Sequence, residues 1–431
     1  MSRKLHKILG YYVPAFFEMH VDTDADDLTI CRLDSSDMTI LFHEYIHFLQ
    51  DFTTYYGLNR IYVYSEYMHS VINRIYRNSS NNKICVPIKI EDNADNVLLN
   101  QQIQNFTSGD DGGEYGIINF TISEIIEDFD SLIDNPYMTS IPNVIVSSSE
   151  GDVVIFGATA ITESMAYIME RLCSPSACKK SPSFPYGAAE MVADYYVPHF
   201  SDNPFMVLAL CDMSQMSSNP GACFVRVMKG IQSGHLSFNS PEEIYDHFYG
   251  QISMTMEGEQ STLFLSFQRL SNVVKQQLKN YLRNMSILDT YYEWIDRLFN
   301  FAWEWRNNDR YFLLKMARHH DLSTNGPFGF CIYSVGTPLM SNNKGSYFKI
   351  TPNGINATDT DVEYFKVFSQ LEQLFSLGLK ECALYEWCCK SPQSTPSELC
   401  LSTPWKKVKE KRLCPYALLW KHWNLSKYDV V

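Results

Sequence analysis

The chain has 431 residues, of which 45% are hydrophobic and 19% charged, and its formal net charge is −14. This length fits two or three domains or one large one, with enough apolar residues for a sizeable core, which excludes a disordered chain, a collagen-like repeat and a small disulfide-stapled scaffold. The acidic balance argues against nucleic acid or an anionic membrane as the main partner, because phosphate-binding surfaces need a basic excess.

Arg3, Lys4 and Lys7 precede an apolar stretch, but Pro14 interrupts it and no small-x-small site follows. The N-terminus therefore reads as mature protein. Residues 11–21 and 28–34 are strand-like, on either side of an acidic loop at 22–27. Ser36 or Asp37 is the expected N-cap of an amphipathic helix that runs through residues 38–56 and stops near Gly57. A second helix is expected over 61–76, then a polar loop at 78–83. Residues 84–135 are weakly patterned: a loop at 108–116, a short strand at 118–122 and a short acidic-faced helix at 126–134. Residues 141–149 and 152–157 read as a hairpin about Glu150 and Gly151. A buried helix is expected over 158–173, and another over 188–200 closed by Pro198. From about Pro204 to His320 apolar residues recur at helical spacing, and a tail helix is expected over 361–379.

No stretch of apolar residues is long enough to cross a bilayer, and no internal repeat is visible. The expected fold class is α+β, α-rich. Residues 1–200 would form one core, a small N-terminal sheet with the helix over 38–56. Residues 201–431 would form a mainly helical region walling the cleft, with a cysteine-rich tail at 382–414. Twelve cysteines without an export signal read as reduced thiols in a cytoplasmic compartment.

The residues that carry chemistry are His43-Glu44-Tyr45-Ile46-His47. On a helix, positions four apart share a face, so both imidazoles can reach one metal ion. Glu44 lies about 100° round the axis, beside a metal-bound water rather than on the metal. A catalytic zinc has three protein ligands and keeps a fourth position for water. Gln50 and Thr53 stand where the longer HExxHxxGxxH motif would need Gly and His, so the third ligand lies elsewhere. Glu163 is the best candidate, an acid in the middle of an apolar helix, since a buried carboxylate needs a cation or donors. Glu170, seven residues on, is a candidate ligand or supporting acid. Glu190 and Asp194 stay open as ligands, and Glu190 also as a group orienting a histidine. Gln50, one turn past His47, can orient a ligand histidine. The plain alternative is a pair of satisfied histidines on a half-buried helix.

On HExxH the chain resembles the gluzincin branch of the zincin metallopeptidases. The downstream pattern is ESMA where the thermolysin type has NExxSD. The resemblance implies that His43, His47 and Glu163 bind one catalytic zinc ion and that Glu44 is the general base. It also implies peptide hydrolysis, with an edge strand beside the helix holding an extended substrate. The oxyanion donor in that family is often a Tyr or His on a later segment. Tyr186, Tyr195, Tyr196 and His199 are candidates here, each as readily explained by packing.

Five tail cysteines, Cys382, Cys388, Cys389, Cys400 and Cys414, can hold a second, structural ion, but their spacing is irregular and packed thiols are the plainer reading. Cys173 and Cys178 pose the same choice between a metal or disulfide and packing. The basic run 405–415 reads as a solvated face that can dock an acidic partner or the chain's own acidic half. The expected function is a zinc-dependent metallopeptidase of narrow specificity, or one held inactive until triggered. It would act on a peptide or protein substrate, with a regulatory protein partner left open. The alternatives are a zincin-like binding scaffold with little catalysis and a metal-dependent hydrolase of a non-peptide substrate.

Overall fold

The computed structural model describes residues 10–13, 17–25, 33–78, 82–88, 96–110, 117, 119–128, 140–254, 260–280, 289–355, 363–391 and 394–431. The expectations for 28–32, 79–81, 111–116 and 129–134 lie outside them. Among the described residues no helix is long and apolar enough to cross a membrane.

The N-terminal strand-like stretch is a hairpin of β1 (Gly10–Val13) and β2 (Glu18–Val21). The motif helix α1 (Ser35–Thr53) follows. Its N-cap is Asp34, not Ser36 or Asp37: the Asp34 carboxylate accepts from the Ser36 and Asp37 amides at 2.8 and 2.9 Å. The chain breaks at Thr54 and restarts as α2 (Tyr55–Asn78). Gly57 therefore does not stop the helix. It lies in the first turn of α2, where a Cβ would come within 2.4 Å of the Gln50 carbonyl oxygen. This glycine serves the close approach of two backbones rather than the end of a helix.

Strand β3 (Lys83–Ile84) is followed by α3 (Asn96–Ser108), a helix the weak apolar pattern hid. Next come β4 (Phe120–Asp128), β5 (Ser140–Ser148) and β6 (Val153–Ile155). They form an antiparallel sheet in that order, with Phe120 opposite Ser148. Residues 126–128 are strand rather than the expected helix, because pairing with β5 outweighs a weak helical pattern. The expected hairpin about Glu150 and the helices α4 (Ala158–Cys173) and α5 (Ala188–Tyr196) are present. Then come α6 (Pro204–Ser214), α7 (Pro220–Gln232) and α8 (Pro241–Gly250), each with proline in its first turn. The helical stretch is interrupted by a hairpin of β7 (Ile252–Met254) and β8 (Gln260–Thr262). Helices α9 (Leu263–Asn280), α10 (Asp289–Asn308), α11 (Phe312–Ala317) and α12 (Gly326–Val335) follow. The last part holds β9 (Leu339–Ser341), β10 (Tyr347–Phe348) and α13 (Glu363–Leu377). After these come α14 (Tyr385–Lys390), α15 (Leu399–Ser402), α16 (Pro415–His422) and β11 (Asp429–Val430). The fold is α+β and α-rich, as its patterning implies.

The sheet that flanks α1 runs β1-β2-β9-β10, with β2 and β9 parallel. Half of it thus comes from residues 339–348. One cluster of buried residues joins the two halves of the sequence: Phe17 and Phe48 pack on Trp294 of α10 at centroid separations of 5.8 and 6.4 Å. The Trp294 indole nitrogen donates to the Val335 carbonyl at 2.8 Å.

A candidate metal centre

Helix α1 packs against α2, α4, α10, β1 and β2, and every residue from Leu41 to Thr53 is buried. The expected amphipathic helix is instead a central one, enclosed on all faces. Its polar residues His43, Glu44, His47, Gln50 and Asp51 must therefore find partners inside the protein. Asp51 receives Arg60 at 2.7 Å and the Tyr12 hydroxyl at 2.9 Å. The other four face α4 or β1.

His43 and His47 lie one turn apart, with ring centroids 5.0 Å apart. Helix α4 brings Glu163 to both: His43 Nε2 is 3.3 Å from one carboxylate oxygen and His47 Nε2 is 3.4 Å from the other. One ligand atom from each of the three lies within 4.8 Å of the others, and no other such group occurs among the described residues. The remaining ring nitrogens are engaged behind the site. His43 Nδ1 donates to Glu170 Oε2 at 3.0 Å, and His47 Nδ1 donates to Gln50 Oε1 at 2.8 Å. The Gln50 amide is itself fixed by donating to the Thr162 carbonyl at 3.1 Å. With both Nδ1 atoms carrying protons, both Nε2 lone pairs are left for a cation.

The electrostatics agree. Burial pulls the His43 imidazole down, but hydrogen bonds to Glu163 and Glu170 reverse this and hold it well above its usual range. Burial likewise opposes charge on His47, and Glu163 overrides it. Glu163 is held far below the usual carboxylate range despite its burial, by His47 first and His43 next. Two imidazoles that favour the protonated form against a carboxylate that favours the ionised form make a site where a metal cation can replace the protons on the two Nε2 atoms.

Glu44 stands beside the three without joining them. It is 5% exposed, and its Oε2 has no hydrogen-bond partner. Burial lifts its pKa to about 7, although His43 and His47 oppose the rise. Strand β1 crosses over it: a Cβ on Gly10 would come within 2.8 Å of Glu44 Oε1. Nothing in the motif flagged Gly10; a lone glycine opening a strand beside a buried acid was the only signal. The Glu163 side chain is 26% exposed, so the face between the ligands opens outward. The half-buried Tyr186 ring lies 6.1 Å from the His43 ring.

Other candidates are engaged elsewhere. Tyr195 is 43% exposed and packs on Phe120 of β4 and on Tyr196, because its face of α5 turns towards the three-stranded sheet. Glu190 pairs with Arg171 at 2.6 Å. Asp194 accepts from the Ser201 amide and hydroxyl at 2.8 and 2.5 Å. His199 is exposed and pairs with Asp202 at 3.3 Å. Cys173 and Cys178 are free thiols, not a disulfide. Comparison with protein-family models, with curated proteins and with solved structures finds no match for the chain.

Proposed function

We propose that the chain is a zinc-dependent metallopeptidase of gluzincin type, with His43, His47 and Glu163 as metal ligands and Glu44 as general base. The observation that carries this reading is the union of two facts. Three ligand atoms converge within 4.8 Å, and beside them lies a buried carboxylate with an unpartnered oxygen. The donor set of two imidazoles and one carboxylate is that of a catalytic zinc site with one position open. A bound zinc ion would polarise a carbonyl and acidify a water molecule there.

The chain's own groups supply the rest. Glu170 and Gln50 hold the imidazoles in the ligating tautomer. Glu44 Oε2 takes the proton of the attacking water and returns it to the leaving nitrogen. Its pKa of about 7 lets it do both near neutral pH. Tyr186 is the phenol nearest this role among the four oxyanion candidates, by its packing on His43. Strand β1 supports a peptide over another substrate. It pairs with β2 on one side and packs along α1, and among the described residues no strand pairs with its other edge, where an extended backbone can join.

The test is a Glu44→Gln variant beside wild type, both loaded with zinc, incubated with a complex peptide mixture and read as new termini by mass spectrometry. Cleavage by wild type, reduced at least about 100-fold in the variant, is the expected result. A zinc-loaded wild type that cuts nothing, or a variant that cuts equally well, overturns the assignment.

A further inference from the structure

We infer that Cys382, Cys388, Cys400 and Cys414 form a second metal site, a four-thiolate centre for zinc that ties the C-terminal tail together. This inference does not rest on the proposed peptidase activity. The four residues are spread over 33 positions without a CxxC pair, which is why the spacing hides them. In the fold all four line one cavity of about 410 Å³. The fifth tail cysteine, Cys389, is exposed and is not part of that lining. Sequence alone could not say which four of the five belong together.

The surroundings suit thiolates. Cys382 and Cys400 are 7% and 5% exposed, and the Cys382 amide donates to the Cys400 carbonyl at 2.8 Å, which pins the first and third segments together. Cys414 stands at the N-terminal end of α16, near the amides of Ala417 and Tyr416, and the Leu384 amide lies near the Cys382 sulfur. Amides so placed stabilise a thiolate. Thiols become ligands when a cation takes the place of their protons. Four thiolates around one zinc leave two negative charges, and Lys349, Lys407 and Arg412 line the same cavity. Lys407 is buried, near Cys400 and Cys414, and its ammonium donates to the Thr395 carbonyl at 2.6 Å and pairs with Glu410 at 2.9 Å. The Tyr416 hydroxyl, buried without a partner, belongs to the same lining.

No three of these sulfurs lie within 4.8 Å of one another, since the histidine site is the only such group among the described residues. Ligation therefore turns the cysteine side chains inward from the cavity wall. The region has reason to need it. Helices α14 and α15 are six and four residues long, too short to stand by themselves. A structural zinc supplies stability to such loop-rich segments.

The experiment is zinc stoichiometry by elemental analysis on the full chain, purified under reducing conditions with zinc added and excess removed. Wild type is expected to hold about two zinc per chain, and Cys400→Ser, Cys414→Ser and His43→Ala about one each. Cys389→Ser is expected to match wild type. Equal zinc in wild type and both cysteine variants overturns the site, as does equal loss in Cys389→Ser. Should the serine variants not fold, wild type loaded with cobalt alone decides. A thiolate-to-cobalt charge-transfer band supports the site, and its absence overturns it. A chain that shows this band but loses no metal in His43→Ala keeps the cysteine site and sinks the histidine site, so the two failures are distinct.

Discussion

Glu44 concentrates the physics of the site in one side chain. A carboxyl whose pKa rises from the usual 4.5 to about 7 keeps its proton in the folded state over a range where the unfolded chain has lost it. The sign follows: metal-free protein is expected to lose stability as pH rises from about 4.5 to about 7, by about 3 kcal/mol in all. Glu44→Gln, which mimics the protonated acid, removes that loss; denaturant midpoints at pH 5 and pH 8 measure it. A variant whose midpoint falls as far as that of wild type contradicts the assignment. Gly10→Ala acts on the same carboxylate from above, since the new methyl meets Glu44 Oε1 at 2.8 Å. If the proposed peptidase reading holds, it is expected to lower turnover while metal content stays at the wild-type level. Glu170→Gln weakens the partner of His43 Nδ1 and is expected to cost about 10- to 100-fold in metal affinity, read by competition with a chelator.

At the scale of elements, α1 is a buried rod whose last turn needs a partner for its free carbonyls. Arg306 of α10 supplies it, donating through Nε to the Thr53 carbonyl at 2.7 Å. Its charge is balanced by the fully buried Asp212, met at 2.8 and 2.7 Å, which also accepts from the Tyr245 hydroxyl at 2.9 Å. Removing one member strands the other in the core. Arg306→Met is expected to cost about 3–5 kcal/mol, and the double variant Arg306→Met, Asp212→Leu to recover much of it. Urea denaturation of the three proteins checks this. If the single variant unfolds like wild type, the support of α1 by α10 is not energetic.

At the scale of the molecule, the site depends on elements far apart in sequence. Strand β2 pairs with β9, and the Tyr45 hydroxyl of α1 donates to the Gly336 carbonyl at 2.9 Å. A fragment ending at residue 200 lacks these partners and is expected neither to fold cooperatively nor to hold metal. Circular dichroism and metal analysis of the fragment test it, and a folded, metal-bearing fragment would show residues 1–200 to be self-sufficient. In the full chain, a metal that binds the folded state alone stabilises it by mass action, by about 4 kcal/mol at 1,000 times its Kd. A chelator should therefore lower the melting temperature, and added zinc should restore it.

The amino-acid sequence by itself determined the local features. The i, i+4 pair His43 and His47, the acid Glu163 in an apolar helix, and the bounds of α4 follow from helical periodicity and the cost of burying charge. Glu170 and Gln50 were legible for the same reason, each set by spacing along a helix. Only the tertiary structure decided which candidates share a centre. It placed Tyr186 by His43 and Tyr195 by β4, closed Asp194 and Glu190 into other bonds, and set Gly10 over Glu44. It also showed that α1 is enclosed on every face and that its sheet takes two strands from residues 339–348. Periodicity reports which face of an element is apolar; it holds no record of which distant element covers that face, because that contact is made by chain closure and packing rather than by neighbours in sequence.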